Sequence, residues 1–143
     1  GAFLFGKHGF ITADVEYLDY TNSHVSSSDF FADADNATIS NLYQSVTNIK
    51  LGGEFRYNIV RLRAGYARLG DPVVSGFDDL DRTRTILSGG FGLNFGKYFF
   101  DLSYSTMSYE ESFSSYTLDG NANPVALTEN NLNTTRLTLG LNF

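Results

Sequence analysis

Charged side chains at alternate positions are the part of this sequence best suited to bind a ligand or to bind one another. Six of the ten basic residues occupy the polar positions of segments in which apolar and polar residues alternate: Lys50, Arg56, Arg61, Arg63, Arg84 and Arg136. Four carboxylates occupy equivalent positions: Asp14, Glu16, Glu54 and Asp101. Such a set can pair internally and stiffen a polar surface, or an arginine can hold a ligand carboxylate through its forked N–H donors. The candidate ligand-facing residues are therefore Arg56, Arg61, Arg63, Arg84 and Arg136.

Other kinds of reactive site find little support in the sequence. The chain has no Cys, which excludes a disulfide framework, a thiolate metal site and a cysteine nucleophile. His8 and His24 have no partner at the spacing of a zinc site. The stretch Asp78-Asp79-Leu80-Asp81 lacks the spacing of a calcium-binding loop and is interpreted as a solvated acidic loop. Because no nucleophile elbow or catalytic triad is found either, we expect no enzymatic activity, no cofactor and no bound metal.

A two-residue period places the charged residues on β-strands. The apolar residues of the last segment, Leu137, Leu139 and Leu141, share one side of an extended chain. A helix would scatter them around its surface, so only a strand collects them on one face. The same test predicts six full strands, at about 9–17, 48–57, 60–66, 84–95, 98–109 and 134–143, and the stub of a seventh at 2–5.

The connections between these strands alternate in length. Tight turns are predicted at 6–9, 58–59 and 96–97, whereas the stretches at 21–47, 70–82 and 110–131 are long, polar and acidic. In the first long stretch, the spacing of Ile39, Leu42, Tyr43 and Val46 predicts a short helix. Short turns at one end and long loops at the other are typical of outer-membrane β-barrels.

Two further features favour a membrane over water, and the mean hydropathy is compatible with one. The predicted strands run about ten residues, the length that a tilted strand needs to cross a bilayer. Aromatic residues gather near both ends of the apolar faces, as the two girdles of a membrane barrel do. The mean hydropathy of −0.17 is compatible with a barrel because the apolar residues are spread over every second position. The alternative, a water-soluble β-sandwich, leaves the sorted connections and the girdles without a reason. We therefore expect an all-β, antiparallel transmembrane barrel.

The directions of the strands indicate that seven of them do not close a barrel. The last strand ends at the turn side, and counting back through the hairpins gives the first strand the same direction. A single-chain bacterial barrel has an even number of strands. We therefore expect residues 1–143 to form the C-terminal portion of one larger transmembrane barrel domain, or a second chain to supply the missing strands. The long loops would be extracellular and the C-terminus periplasmic.

One set of residues resembles a known assembly signal, and another resembles a known protein family. The ending Arg136-Leu-Thr-Leu-Gly-Leu-Asn-Phe143 resembles the signal read by the barrel assembly machinery, with Leu137, Leu139, Leu141 and Phe143 as its signal residues. The segments 48–57, 61–66, 87–95 and 100–104, in this order, resemble the C-terminal strands of the FadL/TodX transporters of hydrophobic compounds. This resemblance implies a larger porin-like barrel around an N-terminal hatch and inward transport of long-chain fatty acids or aromatic hydrocarbons. No binding residue can be carried over by motif.

The functional expectation is an uptake channel for hydrophobic small molecules such as long-chain fatty acids in the outer membrane of a Gram-negative cell. The alternatives are a structural or docking barrel that scaffolds surface or secretion proteins, and a client of the assembly machinery. The expected partners are outer-membrane lipid, lipopolysaccharide, the assembly machinery during insertion and a hydrophobic ligand. A net charge of −6 argues against nucleic acid.

Overall fold

Seven β-strands in chain order form one antiparallel sheet in the computed structural model, which describes residues 1–26, 32–78, 80–113 and 125–142. The strands are β1 (Ala2–Leu4), β2 (Gly9–Asp19), β3 (Ser45–Tyr57), β4 (Val60–Leu69), β5 (Arg84–Asn94), β6 (Tyr98–Phe113) and β7 (Ala126–Leu141). One α-helix, α1 (Asp33–Leu42), precedes β3, and a 3₁₀ turn (Gly6–His8) joins β1 to β2. The predicted all-β, antiparallel fold with six full strands and a short first one is confirmed.

The pairing register sorts the side chains onto two faces as the alternation predicts. Directly opposed residues share a face, so the pairs Glu54–Arg63 and Leu51–Tyr66 fix the two sides of β3 and β4. The polar face carries Asp14, Glu16, Lys50, Glu54, Arg56, Arg61, Arg63, Arg84, Asp101 and Arg136. The apolar face carries Ile11, Val15, Leu51, Phe55, Leu62, Leu87, Phe91, Leu102, Leu137 and Leu139.

Tight turns join the strands at one end of the sheet, which we call the turn end. Asn58 and Ile59 connect β3 to β4, and residues 95–97 connect β5 to β6. Asn58 has a φ of 53° and Gly96 a φ of 83°. This left-handed backbone is what tight hairpin turns require, and Asn and Gly adopt it at the least cost. The opposite end, with the long connections, is the loop end.

Two of the long connections are shorter than predicted. β6 continues to Phe113 and β7 begins at Ala126, so both strands extend into the predicted loop at 110–131. β3 begins at Ser45, inside the predicted loop at 21–47. Within the described residues, 109–113 pair with 126–130 of β7 and with no other strand, which makes a two-stranded ribbon beyond the end of β5. The period failed to mark this ribbon because neither of its sides is consistently apolar.

The predicted helix exists but lies earlier in the chain. The spacing of Ile39, Leu42, Tyr43 and Val46 placed it over 39–46, whereas α1 ends at Leu42. Tyr43 instead pairs with Val73 in an isolated β-bridge, and Val46 belongs to β3. The backbone here finds its hydrogen-bond partners in neighbouring segments, which outweighs the local helical spacing.

Side chains tie the loop end together. The Gln44 amide donates to the carbonyl oxygens of Asp71 (3.0 Å) and Val73 (2.7 Å). The backbone N–H of Gly70 donates to Oδ1 of Asn48 at 3.0 Å. The segment after β4 is therefore fastened to the start of β3, next to the polar face.

The sheet is open, because β1 and β7 are not paired with each other. β1 has three residues and covers little of β2, whereas β7 presents sixteen residues along its outer edge. A long unpaired edge is a template for another strand.

Candidate functional site on the polar face

Large apolar side chains are exposed on the apolar face, whereas the polar face buries a carboxylate residue. On the apolar face, Leu139 is 73% exposed and Phe55 is 55% exposed. On the polar face, the carboxylate residue Glu54 is 8% exposed. Water-soluble proteins seldom bury a carboxylate while leaving large apolar side chains open. The organised chemistry of the described residues therefore lies on the polar face.

Four charged side chains on this face form what we call the ion-pair chain. Glu54 accepts hydrogen bonds from the Nε atoms of both Arg56 and Arg63. Arg63 also donates through Nη1 to Oδ1 of Asp101 at 2.5 Å. The ion-pair chain thus links β3, β4 and β6. Since Arg63 bridges two carboxylates, it fits the internal pairing role better than the ligand-binding role.

Two glycines of β5 leave the space that the ion-pair chain crosses. Gly90 lies opposite Arg63, and Gly92 lies opposite Asp101. A Cβ at Gly90 would lie 3.5 Å from the Cβ of Arg63, and a Cβ at Gly92 would collide with the Asp101 carboxylate. The sequence contains both glycines, but their use becomes visible only once the register of β4, β5 and β6 is known.

Arg61 and Arg136 make no ion pair with any carboxylate in the described part of the chain. Arg61 lies opposite Arg56, so two like charges face each other across β3 and β4. Arg136 lies opposite Ser103 on β6. The turn-end half of the polar face therefore holds more guanidinium groups than carboxylates.

The remaining polar-face cations lie nearer the loop end. Lys50 pairs with Glu16 at 3.7 Å. The Arg84 guanidinium lies over the Tyr109 ring, 5.0 Å from its centroid. Arg84 forms no ion pair among the described residues. The five candidate arginines thus share a face but divide into paired and unpaired groups, and their ligand role stays a prediction.

The acidic loop before β5 has its own pairing. Both terminal nitrogens of Arg82 donate to the carboxylate of Asp78, one of them at 3.0 Å. These hydrogen bonds hold the pKa of Asp78 below its ordinary value and raise the pKa of Arg82. The Asp71 carboxylate accepts hydrogen bonds from the backbone N–H groups of Val73 and Arg82. Both carboxylates are therefore engaged within their own loop, while Asp79 lies outside the described residues.

Of the predicted assembly-signal residues, three lie on the apolar face of the edge strand β7. Leu137, Leu139 and Leu141 are all exposed there. Phe143 lies outside the described residues. A role in assembly stays a prediction from the sequence.

The described residues contain neither a metal-binding cluster nor a membrane-spanning helix. Over 1–26, 32–78, 80–113 and 125–142, no three His, Asp or Glu side chains come together in a way that could hold a metal ion. Over the same ranges, no helix is both long and apolar enough to cross a membrane.

A scan against protein-family models and searches of curated proteins and of solved structures found no match to this chain. The resemblance to the FadL/TodX transporters therefore stays a prediction from the sequence.

Proposed function

We propose that this chain forms part of the wall of a transmembrane β-barrel in the outer membrane of a Gram-negative cell. The apolar face contacts lipid, and the polar face lines the interior. The observation that carries the proposal is the oblique course of the apolar band, by which we mean the run of apolar residues on the apolar face of each strand.

The apolar band changes its position from strand to strand. On β2 it covers residues 11–17, which lie opposite 47–53 of β3. On β7 it covers residues 137–141, which the register places level with Phe55, Tyr57 and the turn that follows. Over the five steps from β2 to β7, the centre of the band moves towards the turn end by about seven residues, or roughly 24 Å at 3.4 Å per residue.

This displacement corresponds to a definite strand tilt. Five steps of about 4.8 Å between strands also span roughly 24 Å. The band is therefore level, as a bilayer requires, when the strands tilt by roughly 45°, close to the 35–45° of outer-membrane barrels. Water on both sides would impose no such slope on the pattern.

The open sheet sets a condition on this proposal. β1 and β7 run in the same direction, because they are separated by an even number of antiparallel steps. A barrel with antiparallel pairing throughout then needs an odd number of further strands. Closure is required because lipid cannot form hydrogen bonds with the backbone groups of an exposed strand edge. The chain would thus be one portion of a larger barrel domain.

Single-cysteine labelling tests the wall assignment, since the chain contains no Cys of its own. Leu139→Cys and Thr138→Cys are neighbours on β7 with side chains on opposite faces. A lipid-restricted thiol reagent should label Leu139→Cys strongly and Thr138→Cys weakly in outer membranes. Equal labelling of both variants would remove the membrane assignment.

For the function of the barrel, we propose uptake of hydrophobic small molecules such as long-chain fatty acids. The support is the resemblance of the strand segments to the FadL/TodX transporters, together with Arg61 and Arg136. Neither arginine has a carboxylate partner in the described part of the chain. A guanidinium group without a partner in a barrel interior needs water or ligand oxygens around it.

Uptake of a labelled long-chain fatty acid by cells that produce the protein is the test. Arg61→Gln and Arg136→Gln should each slow uptake relative to the parent while the folded fraction stays the same. Unchanged uptake in both variants would remove the ligand role of these arginines. A parent that transports no hydrophobic compound would remove the uptake function but leave the wall assignment standing.

A docking role is the second candidate, and the β6–β7 ribbon favours it. The ribbon continues beyond β5 and carries exposed apolar side chains, with Phe113 63% and Leu127 65% exposed. Isolated two-stranded ribbons are marginally stable in water. If docking is the function, deleting 110–129 should abolish capture of a surface protein and leave uptake unchanged. A parent that captures no surface protein, or a deletion that leaves capture unchanged, would remove the docking role.

A further inference from the structure

A pocket of about 240 Å³ opens on the polar face at the loop end, between β3, β4, β5 and the segment that follows β4. Its apolar walls are formed by Val46, Leu69, Pro72 and Tyr20. Its lining also includes Arg82 and Arg84 and contains no carboxylate. Val46 is 6% exposed, so the pocket reaches one of the most buried places in the described molecule.

The two arginines of the pocket differ in what they already bind. Arg82 is held by both oxygens of Asp78. Arg84 has no hydrogen bond or ion pair to a side chain in the described ranges, but its guanidinium is positioned over the ring of Tyr109. The aromatic face fixes the guanidinium and leaves its N–H donors at the edge unoccupied. Arg84 is therefore a preorganised cation beside apolar walls.

We propose that this pocket binds a small monocarboxylate with an apolar body about the size of one ring. The carboxylate accepts hydrogen bonds from Arg84, and the apolar body packs between Val46 and Leu69. A planar guanidinium matches a carboxylate in both charge and geometry. Pockets for drug-sized ligands measure about 300–1,000 Å³, so this smaller pocket encloses a single ring or a short chain and leaves most of a long acyl chain outside. The pocket is formed by one sheet and its adjoining loop, so the proposal does not depend on uptake.

Binding of benzoate to the full chain in non-ionic detergent tests this proposal. Methyl NMR signals of Val46 and Leu69 should shift as benzoate is added. Benzyl alcohol, which has the same ring without the charge, should bind at least about tenfold more weakly because it lacks the charge-assisted hydrogen bonds. Dodecanoate, most of whose chain would lie outside the pocket, should bind no more tightly than benzoate.

Two substitutions of Arg84 and one control substitution locate the effect. Arg84→Gln should weaken benzoate binding about tenfold and leave benzyl alcohol binding unchanged. Arg84→Lys keeps the charge without the fork, so its affinity should fall between those of the parent and Arg84→Gln. Arg68→Gln removes the same charge from β4 on the opposite face and should bind as the parent does. Equal affinity for benzoate and benzyl alcohol, absent shifts of Val46 and Leu69 in folded protein, or full affinity of Arg84→Gln would each overturn the proposal.

Discussion

The apolar face and the polar face are made of neighbouring residues on the same strands, yet their surroundings are opposite. Glu54 and Phe55 are consecutive in β3, yet Glu54 is 8% exposed whereas Phe55 is 55% exposed. Arg63 is held by two carboxylates, while the adjacent Leu62 is exposed. On the polar side the members of the ion-pair chain thus hold one another, whereas the apolar side leaves its large side chains without partners.

The difference teaches which side needs a further environment. Burying one large apolar side chain is worth about 1.5–3 kcal/mol, and the apolar face leaves many of them open. On the polar face, in contrast, the four members of the ion-pair chain already supply one another's partners. An apolar solvent on one side, as in the proposed barrel, makes both halves of the pattern favourable. The predictions below change one face at a time.

The largest effect is expected from a charge on the apolar face. Leu102→Arg places a guanidinium in the apolar band of β6 and should make folding into a bilayer less favourable by about 2–4 kcal/mol. Ser105→Arg is the matched control on the same strand, because it lies on the polar face between Ser88 and Thr134, whose side chains are small. Urea titration of the protein in phospholipid vesicles measures both.

The comparison of the faces would fail if Leu102→Arg and Ser105→Arg destabilised the protein equally.

A smaller effect is expected from breaking the ion-pair chain. Glu54→Gln removes the charge that both Arg56 and Arg63 bind, and should cost about 1–3 kcal/mol because partly buried donors lose their charged acceptor. Asp14→Asn makes the same change on the same face, where the carboxylate is exposed and has no ion pair within the described ranges. It should change stability by less than about 0.5 kcal/mol. Equal losses in denaturant titrations would show that pairing on the polar face is not structural.

The sequence predicted the strands and their two faces because alternation is a local signal with a strong period. Leu137, Leu139 and Leu141 needed no knowledge of their neighbours to be assigned to one side. The extension of β6 to Phe113 was missed, since both sides of the ribbon are mixed in polarity. The helix was misplaced because the backbone on either side of Tyr43 forms hydrogen bonds with Pro72 and Val74, which are distant in sequence.

The sequence predicted which charged residues share a face, but not which of them pair with each other. Alternation put Arg61 and Arg63 on one face, but only the register shows that Arg63 reaches Asp101 while Arg61 faces Arg56. The pocket beside Arg84 depends on the turn of the chain after β4, which no short-range pattern encodes. Contacts between residues far apart in sequence were therefore what the sequence alone could not supply.

Two glycines of β5 sharpen the comparison without altering any charge. Gly92→Ala directs a methyl group towards the Asp101 carboxylate and should push it away from Arg63, costing about 1 kcal/mol. Gly89→Ala faces the apolar side, where a Cβ would meet nothing within 4 Å, so it should be neutral or stabilising. Thermal or denaturant unfolding of the two variants compares them. A larger loss for Gly89→Ala than for Gly92→Ala would mean that the ion-pair chain does not need the space above β5.

The smallest effect is expected at the loop end, where the Asp78–Arg82 pair lies outside the predicted membrane span. The hydrogen bonds from Arg82 lower the pKa of Asp78, so the ionised carboxylate favours the folded loop at any pH above its ordinary value of about 3.9. That contribution is lost as the pH falls through the lowered pKa, since the protonated acid no longer holds the guanidinium. The carboxyl carbon NMR signal of Asp78 should therefore titrate at a lower pH than an unperturbed aspartate, and Arg82→Gln should move its midpoint up towards the ordinary value. If the midpoint is the same with and without Arg82, the pair does not order this loop, and pairing of charges is confined to the polar face.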